Sequence, residues 1–263
     1  MQAVANQKHQ AERFRALHVR GTPLILFNIW DAGSAKAVTA GGAQAIATGS
    51  WSVAEANGFA DGEHIPLTLA MENLRRIVAA TDLPVSIDLE SGYGDAPQAV
   101  GDTVRLAISA GAIGCNLEDS FPADGKLREA GAHVERVRHA RRAAEAANIP
   151  FFINARTDVF FQRPPAQHDA AMLAEALERA RRYADAGADG VFAPGLLDIK
   201  LIAQLAAASP LPLNILVDEG SPGVRLLADH GVARVSHGPG PYLMAMKVLE
   251  NAARSVAEQA QPA

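Results

Sequence analysis

The chain alternates short runs of apolar residues with longer amphipathic segments that are rich in Ala, Arg and Glu. Four of the apolar runs follow a proline: LILF after Pro23, VSID after Pro84, FFIN after Pro150 and LNIL after Pro212. Short apolar runs separated by amphipathic segments are typical of parallel strands that are connected by helices. The pattern therefore predicts an alternation of strands and helices along the chain.

Four further apolar runs contain a glycine that is expected to end the preceding helix. They read GGAQAIAT, AGAIGCN, AGADGVF and HGVARVS, in which Gly42, Gly111, Gly187 and Gly231 suit the left-handed position that closes a helix. Proline-led and glycine-led runs alternate strictly, which gives eight strands. The prediction is an α/β fold, a (β/α)8 TIM barrel, with residues 1–263 as a single domain. A doubly wound open sheet is the alternative, but no G-x-G-x-x-G motif lies between a strand and a helix.

Residues 241–263 form one long helical pattern after the eighth strand, and we predict a C-terminal helical extension there. Leu243, Met246, Leu249 and Val256 fall near one helical face, which is more apolar surface than a helix facing only its own barrel needs. We therefore expect the helix to pack on a neighbouring subunit of a homo-oligomer, a dimer or tetramer. Packing against the chain's own barrel wall is the alternative.

Composition and charge narrow the class of protein. The 263 residues include 24 Lys and Arg against 29 Asp and Glu, a net charge of −5, with no basic stripe of the kind that binds nucleic acid. No run approaches the ~18 uninterrupted apolar residues of a membrane span. The polar N-terminal sequence lacks the apolar run of a signal peptide, so we expect a cytoplasmic protein. One cysteine excludes a disulfide framework.

Polar side chains gather where the predicted strands end, which is the edge of a barrel that carries its chemistry. Asp88 and Glu90 lie two residues apart in a segment expected to be extended, so both side chains should point to the same face. Glu118 ends the next strand. Three converging carboxylates would repel one another without a cation, and their oxygens suit Mg²⁺, with Mn²⁺ as a second choice. The alternative is that each acid caps a helix or pairs with an arginine.

Other candidates in the chain carry weaker signals. Arg156, after the fifth strand, could bind a carboxylate through two hydrogen bonds or form a salt bridge to Asp158 or Glu118. His237 could act as an acid, a base or a hydrogen-bond donor, or be structural. Cys115 lies inside an apolar strand and is expected to be a buried small residue rather than a nucleophile. None of the five lysines ends a strand, which disfavours a Schiff-base aldolase.

Six motifs follow one another along the chain: FNIWDAGSA, ATGSWSVAEANGFADGE, VSIDLESGYG, GCNLEDS, INARTD and ARVSHGPGPY. In this order they resemble the isocitrate lyase/phosphoenolpyruvate mutase superfamily, over essentially the whole chain. The resemblance implies a Mg²⁺ ion bound directly by Asp88 and through water by Asp61, Glu90 and Glu118. It also implies that Ser50 and Trp51 orient a 2-oxo acid, that Arg156 binds its carboxylate, and that the C-terminal helices assemble dimers of dimers. Asn214 is an additional expected substrate contact.

The chain departs from the reaction motifs of the superfamily at several positions. Lyases carry K-[KR]-C-G-H after the fourth strand with a catalytic cysteine, whereas this chain reads SFPADGKLREAGA at Ser120–Ala132, a loop that we expect to cover the site. Mutases carry E-D-K where this chain has Ser120, and they have an asparagine further along that is absent here. The glutamate that lyases carry after the sixth strand is replaced around Ala193 and Pro194.

The retained residues predict an enzyme, a Mg²⁺-dependent carbon–carbon lyase that acts on a small 2-oxo or 2-hydroxy di- or tricarboxylate. The reaction would pass through a metal-stabilised enolate, with either decarboxylation or retro-aldol cleavage. One alternative is a phosphonate enzyme, either a mutase or a hydrolase. Another is a barrel that binds a 2-oxo acid without efficient turnover. Neither nucleic acid nor membrane is an expected partner.

Overall fold

The computed structural model describes residues 2–259 and contains the eight parallel strands that the apolar runs predict. The strands are β1 (Leu24–Leu26), β2 (Ile46–Ala47), β3 (Val85–Asp88), β4 (Gly114–Glu118), β5 (Phe152–Arg156), β6 (Gly190–Phe192), β7 (Leu213–Leu216) and β8 (Arg234–Ser236). They pair in the order β1-β8-β7-β6-β5-β4-β3-β2. A parallel bridge between Ile29 and Thr48 joins the first strand to the second, so the sheet closes. The predicted (β/α)8 barrel is confirmed.

Helices connect the strands on the outside of the barrel. They are α1 (Gln2–Ala16), α2 (Ala32–Ala40), α3 (Ser50–Ala56), α4 (Leu67–Val78), α5 (Pro97–Ser109), α6 (Ala130–Ala146), α7 (Ala170–Asp185), α8 (Ile199–Ala208), α9 (Val224–Asp229) and α10 (Gly240–Gln259). Gly42, Gly111, Gly187 and Gly231 have φ angles of 90°, 103°, 100° and 81°. These left-handed conformations, which side chains other than Gly seldom adopt, confirm the predicted helix ends.

The barrel interior is packed, and helix α1 covers its N-terminal end. Phe14 is fully buried, and the ring of His18 stacks on Phe152, the first residue of β5, with centroids 4.1 Å apart. Cys115 of β4 is also buried, and burial raises the pKa of its thiol. The prediction that Cys115 is an interior residue is therefore confirmed. The loops that follow the strands form the opposite, C-terminal end of the barrel.

Helix α10 is the predicted C-terminal extension, and much of its apolar surface faces solvent in the single chain. Leu243, Val248, Leu249 and Val256 are exposed. The last predicted residues of the extension, 260–263, lie outside the described residues. Across residues 2–259, no helix combines the length and the apolarity that crossing a membrane would require.

The loop after β4 is shorter than the sequence predicts. Helix α6 already begins at Ala130, because the Glu129 carboxylate caps the helix by accepting a hydrogen bond from the Ala132 N–H at 3.0 Å. The expected loop through Ala132 is therefore wrong at its end. Ser120 pairs with Leu127 as an antiparallel bridge, which folds the loop back on itself.

Candidate active site

A cavity of about 250 Å³ opens at the C-terminal ends of the strands. Such a volume is smaller than the range usual for drug-sized ligands, so it suits a small metabolite. Polar residues line one part of it: Asn28, Ser50, Asp61, Asp88, Asn116, Arg156 and Ser236. The remaining wall is mainly apolar and is formed by Trp51, Phe161, Phe192, Pro194, Leu216 and Pro239.

Asp88 lies at the end of β3 and is held by the neighbouring strand end. Its N–H donates to Thr48 Oγ1 at 2.9 Å, and its Oδ2 lies 3.4 Å from the N–H of Ser50, the first residue of α3. Asp61 faces the same cavity. Burial raises the pKa of Asp61, and the negative charge of Asp88 raises it further. The two carboxylates therefore share a site where a positive charge would be favourable.

Glu90 belongs to a turn, which corrects the expectation that it continues an extended segment with Asp88. Strand β3 ends at Asp88, and Glu90 adopts a φ of 51°, so alternation along a strand does not set its direction. Its Oε2 accepts hydrogen bonds from the N–H groups of Gly62 at 2.8 Å and Glu63 at 2.7 Å. Burial, followed by the charges of Asp61 and Asp88, raises the pKa of Glu90 to about 8. Glu90 and Asp88 nevertheless line one small adjoining cavity.

The turn that contains Glu90 is locked to the loop that carries Asp61. Glu63 Oε1 accepts hydrogen bonds from Ser91 Oγ and the Tyr93 N–H, both at 2.7 Å, so each of the two segments binds a carboxylate of the other. Glu63, Glu90 and Tyr93 all have positive φ, a conformation that is costly for residues other than glycine. Strain of this kind often accompanies functional sites. The exchanged carboxylates fix Asp61 and Glu90 relative to each other.

Arg156 is the basic side chain among the residues that line the cavity, and two acids hold it. Its Nη1 lies 2.7 Å from Glu118 Oε2, while its Nε and Nη2 donate to Asp158 at 2.6 and 2.9 Å. These contacts are the salt bridges that the sequence left open as an alternative. A guanidinium has five N–H groups, and two of them donate to Asp158 while Nη1 forms an ion pair with Glu118, so N–H donors remain for a ligand. Burial raises the pKa of Glu118, although the charge of Arg156 lowers it in part.

The donor set fits a hard divalent cation. Carboxylate oxygens are the ligands that Mg²⁺ and Mn²⁺ prefer, and Glu90 Oε1 is buried without a hydrogen-bond partner among the described residues. In residues 2–259, no three His, Cys, Asp or Glu side chains stand together as a complete metal cage. A cation here would take one or two carboxylates and keep several waters, which is the usual manner of Mg²⁺.

The structure brings most of the predicted residues together, with two exceptions. Ser50, Trp51, Asp61, Asp88 and Arg156 line the cavity, and Glu90 and Glu118 line a second opening that also contains Asp61 and Arg156.

His237 and Asn214 do not line the cavity. The His237 ring packs against Phe27 with centroids 5.2 Å apart. The Asn214 side chain is buried within the barrel, where its Oδ1 accepts a hydrogen bond from Ser236 Oγ at 3.2 Å. Asn214 lies two residues before the cavity-lining Leu216 in β7, one layer deeper in the barrel.

Several lining residues received no role from the sequence. Phe161, Phe192 and Leu216 are apolar and give no chemical signal in a sequence. The sequence did contain a signal for Asn116. It lies two residues before Glu118 in β4, and strand alternation places both side chains on the inner face of the barrel. Asn28 positions backbone, since its Oδ1 accepts from the N–H groups of His237 and Gly238 at 3.0 and 2.9 Å.

Comparisons with known proteins agree over nearly the whole chain. The sequence model of the phosphoenolpyruvate phosphomutase family matches residues 14–257. A crystal structure from Burkholderia cenocepacia J2315, described as a "putative phosphonomutase", is 55% identical with a TM-score of 0.93, covering 95% of this chain and 99% of the other. The 2-methylisocitrate lyase of Escherichia coli (strain K12) is 30% identical, covering 78% of this chain and 69% of the lyase. The oxaloacetate decarboxylase of Pseudomonas savastanoi pv. phaseolicola (strain 1448A / Race 6) is 30% identical, covering 95% and 86%.

The barrel and its carboxylate-lined cavity define the class: this is an enzyme of the isocitrate lyase/phosphoenolpyruvate mutase superfamily. Within that class, the chain belongs to the phosphoenolpyruvate phosphomutase family. The resemblance that the sequence motifs indicate is confirmed. The relatives include carbon–carbon lyases and a decarboxylase, so enzymes of this superfamily act on small carboxylates.

Proposed function

We propose that this chain is a Mg²⁺-dependent lyase, able to use Mn²⁺, that acts on a small 2-oxo or 2-hydroxy di- or tricarboxylate. The observation that carries the proposal is one small cavity in which Asp61 and Asp88 lie alongside the Arg156 guanidinium. Acidic residues on one side suit a cation, and the guanidinium suits a carboxylate. A 2-oxo acid presents both a chelating oxygen pair and an anionic group, so it fits this division of charge.

Asp88 is the proposed direct ligand of the cation, with Asp61, Glu90 and Glu118 holding its water shell. When bound, the ion would act as a Lewis acid toward the 2-oxo group and a carboxylate oxygen. Arg156 would neutralise the substrate carboxylate with the N–H donors that its contacts to Glu118 and Asp158 leave free. Ser50 and Trp51, in the first turn of α3, would orient the substrate beside Asp88, whose Oδ2 lies 3.4 Å from the Ser50 N–H.

The apolar wall of the cavity favours a reaction that needs no protein base at the departing group. Phe192, Pro194 and Leu216 form this wall, and none of them can accept or donate a side-chain proton. Loss of CO2 requires only stabilisation of the charge left behind and a later proton. The apolar wall therefore favours decarboxylation. Retro-aldol cleavage stays within the proposal, but it also requires one of the site carboxylates to accept the proton of the substrate hydroxyl. In either case the protein would contribute orientation, charge neutralisation and exclusion of water.

A phosphonate reaction is the second candidate, because the 55% identical relative is described as a phosphonomutase and the matching family is that of a phosphomutase. A phosphonate enzyme would use the same oxo-acid site but break a carbon–phosphorus bond. The loop residue Ser120 weighs against it, since Ser120 Oγ donates to Asp158 Oδ2 at 2.7 Å and supplies no cation for a phosphonate.

Product analysis separates the two candidates. Purified protein with MgCl2 is incubated in turn with 2-oxo and 2-hydroxy dicarboxylates, isocitrate, methylisocitrate and phosphonopyruvate, with Asp88→Ala as the control protein. The proposal expects CO2 or a cleaved oxo acid from a carboxylate substrate, abolished by EDTA and in Asp88→Ala. Release of phosphate or formation of phosphoenolpyruvate would favour the phosphonate reaction. Binding of a substrate without formation of any product would indicate a barrel that only binds its ligand, and it would refute the proposed lyase activity.

We also propose that α10 of a second copy covers an apolar groove on this chain, giving a homo-oligomer, either a dimer or a tetramer. The groove, of about 580 Å³, is lined by residues that include Ile25, Phe27 and Val38. Ile25 of β1 and Phe27, which directly follows the strand, remain exposed, although helices normally cover the outer faces of barrel strands. Leu243 and Leu249 on α10 are exposed as well, so groove and helix complement each other.

Light scattering of the intact chain tests the assembly. A mass of two or four chains at micromolar concentration is expected, and Leu249→Glu should lower the mass by placing a charge in the apolar contact. Glu258→Lys, on the same helix, is the control for a change of surface charge. A monomeric wild type would refute the assembly, as would a Leu249→Glu variant that retains the full mass.

A further inference from the structure

Asn116 lines the deep part of the cavity, and neither the sequence nor its resemblance assigns it a role. It lies in β4, in register with Asp88 of β3 on one side and Asn154 of β5 on the other. Only 4% of its surface is exposed, yet it lines the cavity that contains Asp88 and Arg156. A carboxamide at this depth is able to meet the innermost atoms of a small ligand.

The orientation of the Asn116 amide is fixed from below. Arg234 Nη2 donates to Asn116 Oδ1 at 3.1 Å, and Asn154 Nδ2 donates to the same oxygen at 2.9 Å. An arginine can only donate hydrogen bonds, so the Asn116 atom that faces Arg234 must be its oxygen. The Nδ2 group is therefore turned away from Arg234, and within residues 2–259 it donates to no acceptor.

The guanidinium behind Asn116 also strengthens it as a donor. Arg234 is almost completely buried and has no carboxylate within salt-bridge distance in the described part of the chain. A cation bound to the oxygen of an amide draws electron density from its nitrogen, and hydrogen bonds in a chain polarise one another most where the surroundings are apolar. The Nδ2–H donors of Asn116 are thus suited to an oxygen that carries negative charge.

We infer that Asn116 is a substrate-binding residue that donates a hydrogen bond from Nδ2 to a carboxylate or oxo oxygen of the ligand at the cavity floor. The inference rests on the proposed function, because it takes a small oxo acid as the ligand. Arg234 and Asn154 act through Asn116 as positioning residues. The ligand is then held from two directions, by Arg156 near the mouth and by Asn116 from below.

Asn116→Asp tests the inference with little change in shape. The new carboxylate would still accept from Arg234 and Asn154, so the fold should be retained, but the oxygen facing the cavity would have no proton to donate and would repel an anion. Calorimetry with oxalate in MgCl2 should show binding weakened by about tenfold to a hundredfold, the range for a hydrogen bond to a charged group. Asn6→Asp makes the same replacement at an exposed position of α1, the helix at the N-terminal end of the barrel, and should leave oxalate binding unchanged.

The outcomes separate this inference from the proposed function. If wild-type protein does not bind oxalate with Mg²⁺, both are refuted. If wild type binds oxalate and Asn116→Asp binds it equally well, Asn116 is not a ligand contact and only the inference is refuted. A crystal structure of the wild type with Mg²⁺ and oxalate decides the question even if the variant misfolds. Asn116 Nδ2 should lie about 2.7–3.2 Å from an oxalate oxygen, and a separation beyond that range would overturn the inference.

Discussion

The hydroxyl of Tyr183 is predicted to stabilise the fold next to the active site, through a hydrogen bond to a buried carboxylate. Tyr183 donates to Asp119 Oδ2 at 2.6 Å, and Arg179 Nη1 donates to the same oxygen at 3.1 Å. The other oxygen, Asp119 Oδ1, accepts from the N–H of Asp158 at 2.9 Å, and Asp158 in turn holds Arg156. Asp119 is completely buried, so every hydrogen bond to its charge contributes to stability.

Tyr183→Phe keeps the ring but removes the hydrogen bond to this buried carboxylate, together with the weaker one that the hydroxyl accepts from Arg179 Nη1 at 3.2 Å. A hydrogen bond to a charged group contributes about 1.5–3 kcal/mol, so the variant should lose that much free energy of unfolding. A change of 1 kcal/mol moves the Tm of a chain of this size by about 2–4 °C, which gives a fall of roughly 3–12 °C. The affinity for oxalate with Mg²⁺ should be unchanged, because Asp119 Oδ1 still fixes Asp158.

Differential scanning calorimetry of three proteins provides the assay. Tyr242→Phe is the matched control, since the Tyr242 hydroxyl makes no hydrogen bond to residues 2–259, and it should stay within about 0.5 kcal/mol of wild type. Equal melting temperatures for Tyr183→Phe and Tyr242→Phe would refute the assigned role of the Asp119 network. So would a large loss of oxalate affinity in Tyr183→Phe without any loss of stability.

Three further predictions concern other parts of the chain. Alkylating reagents and Cys115→Ala should leave turnover unchanged, because the Cys115 thiol is buried and burial raises its pKa. The product assay checks this, and loss of activity in Cys115→Ala would contradict it. Gly195→Ala should weaken oxalate binding in calorimetry, because a Cβ there would lie 2.8 Å from Phe161 Cδ1 and displace a ring that lines the cavity; unchanged affinity would count against it. Burial lowers the pKa of His133 well below 6.5, so below about pH 6.5 the unfolded chain binds a proton that the folded chain does not, and stability falls as the pH falls. Urea unfolding of wild type and His133→Gln at pH 7.5 and 5.5 measures this, and equal losses in both proteins would contradict the assignment.

The positions of the strands and the helix ends could be predicted because they depend on local chemistry. Proline, apolar runs and left-handed glycines mark element boundaries directly, and Gly111 and Gly187 adopt the expected conformation. The clustering of Asp88 and Arg156 also follows from the sequence, since strand ends of a barrel meet at one rim. Neither inference needs any knowledge of side-chain packing.

The remaining features depend on contacts between distant segments. The left-handed turn at Glu90 is stabilised by Gly62 and Glu63 of another loop, which no local pattern reveals. The direction of the His237 ring is associated with its packing against Phe27, and the free donor of Asn116 depends on Arg234, 118 positions away. Propensity and spacing do not reveal such pairings. The prediction from the sequence therefore assigned no role to Asn116 and included His237 among the site residues.

The direct role of Asp88 in binding a cation with an oxo acid is the central claim, and isothermal calorimetry of wild type and Asp88→Ala tests it. Wild type should bind oxalate only when MgCl2 is present, and EDTA should abolish that binding. Asp88→Ala should show no Mg²⁺-dependent binding while keeping the circular dichroism spectrum of wild type. Glu90→Ala, which removes a ligand of the water shell, should weaken binding by about 10–100-fold. If Asp88→Ala binds oxalate as tightly as wild type does, with or without EDTA, the claim is contradicted.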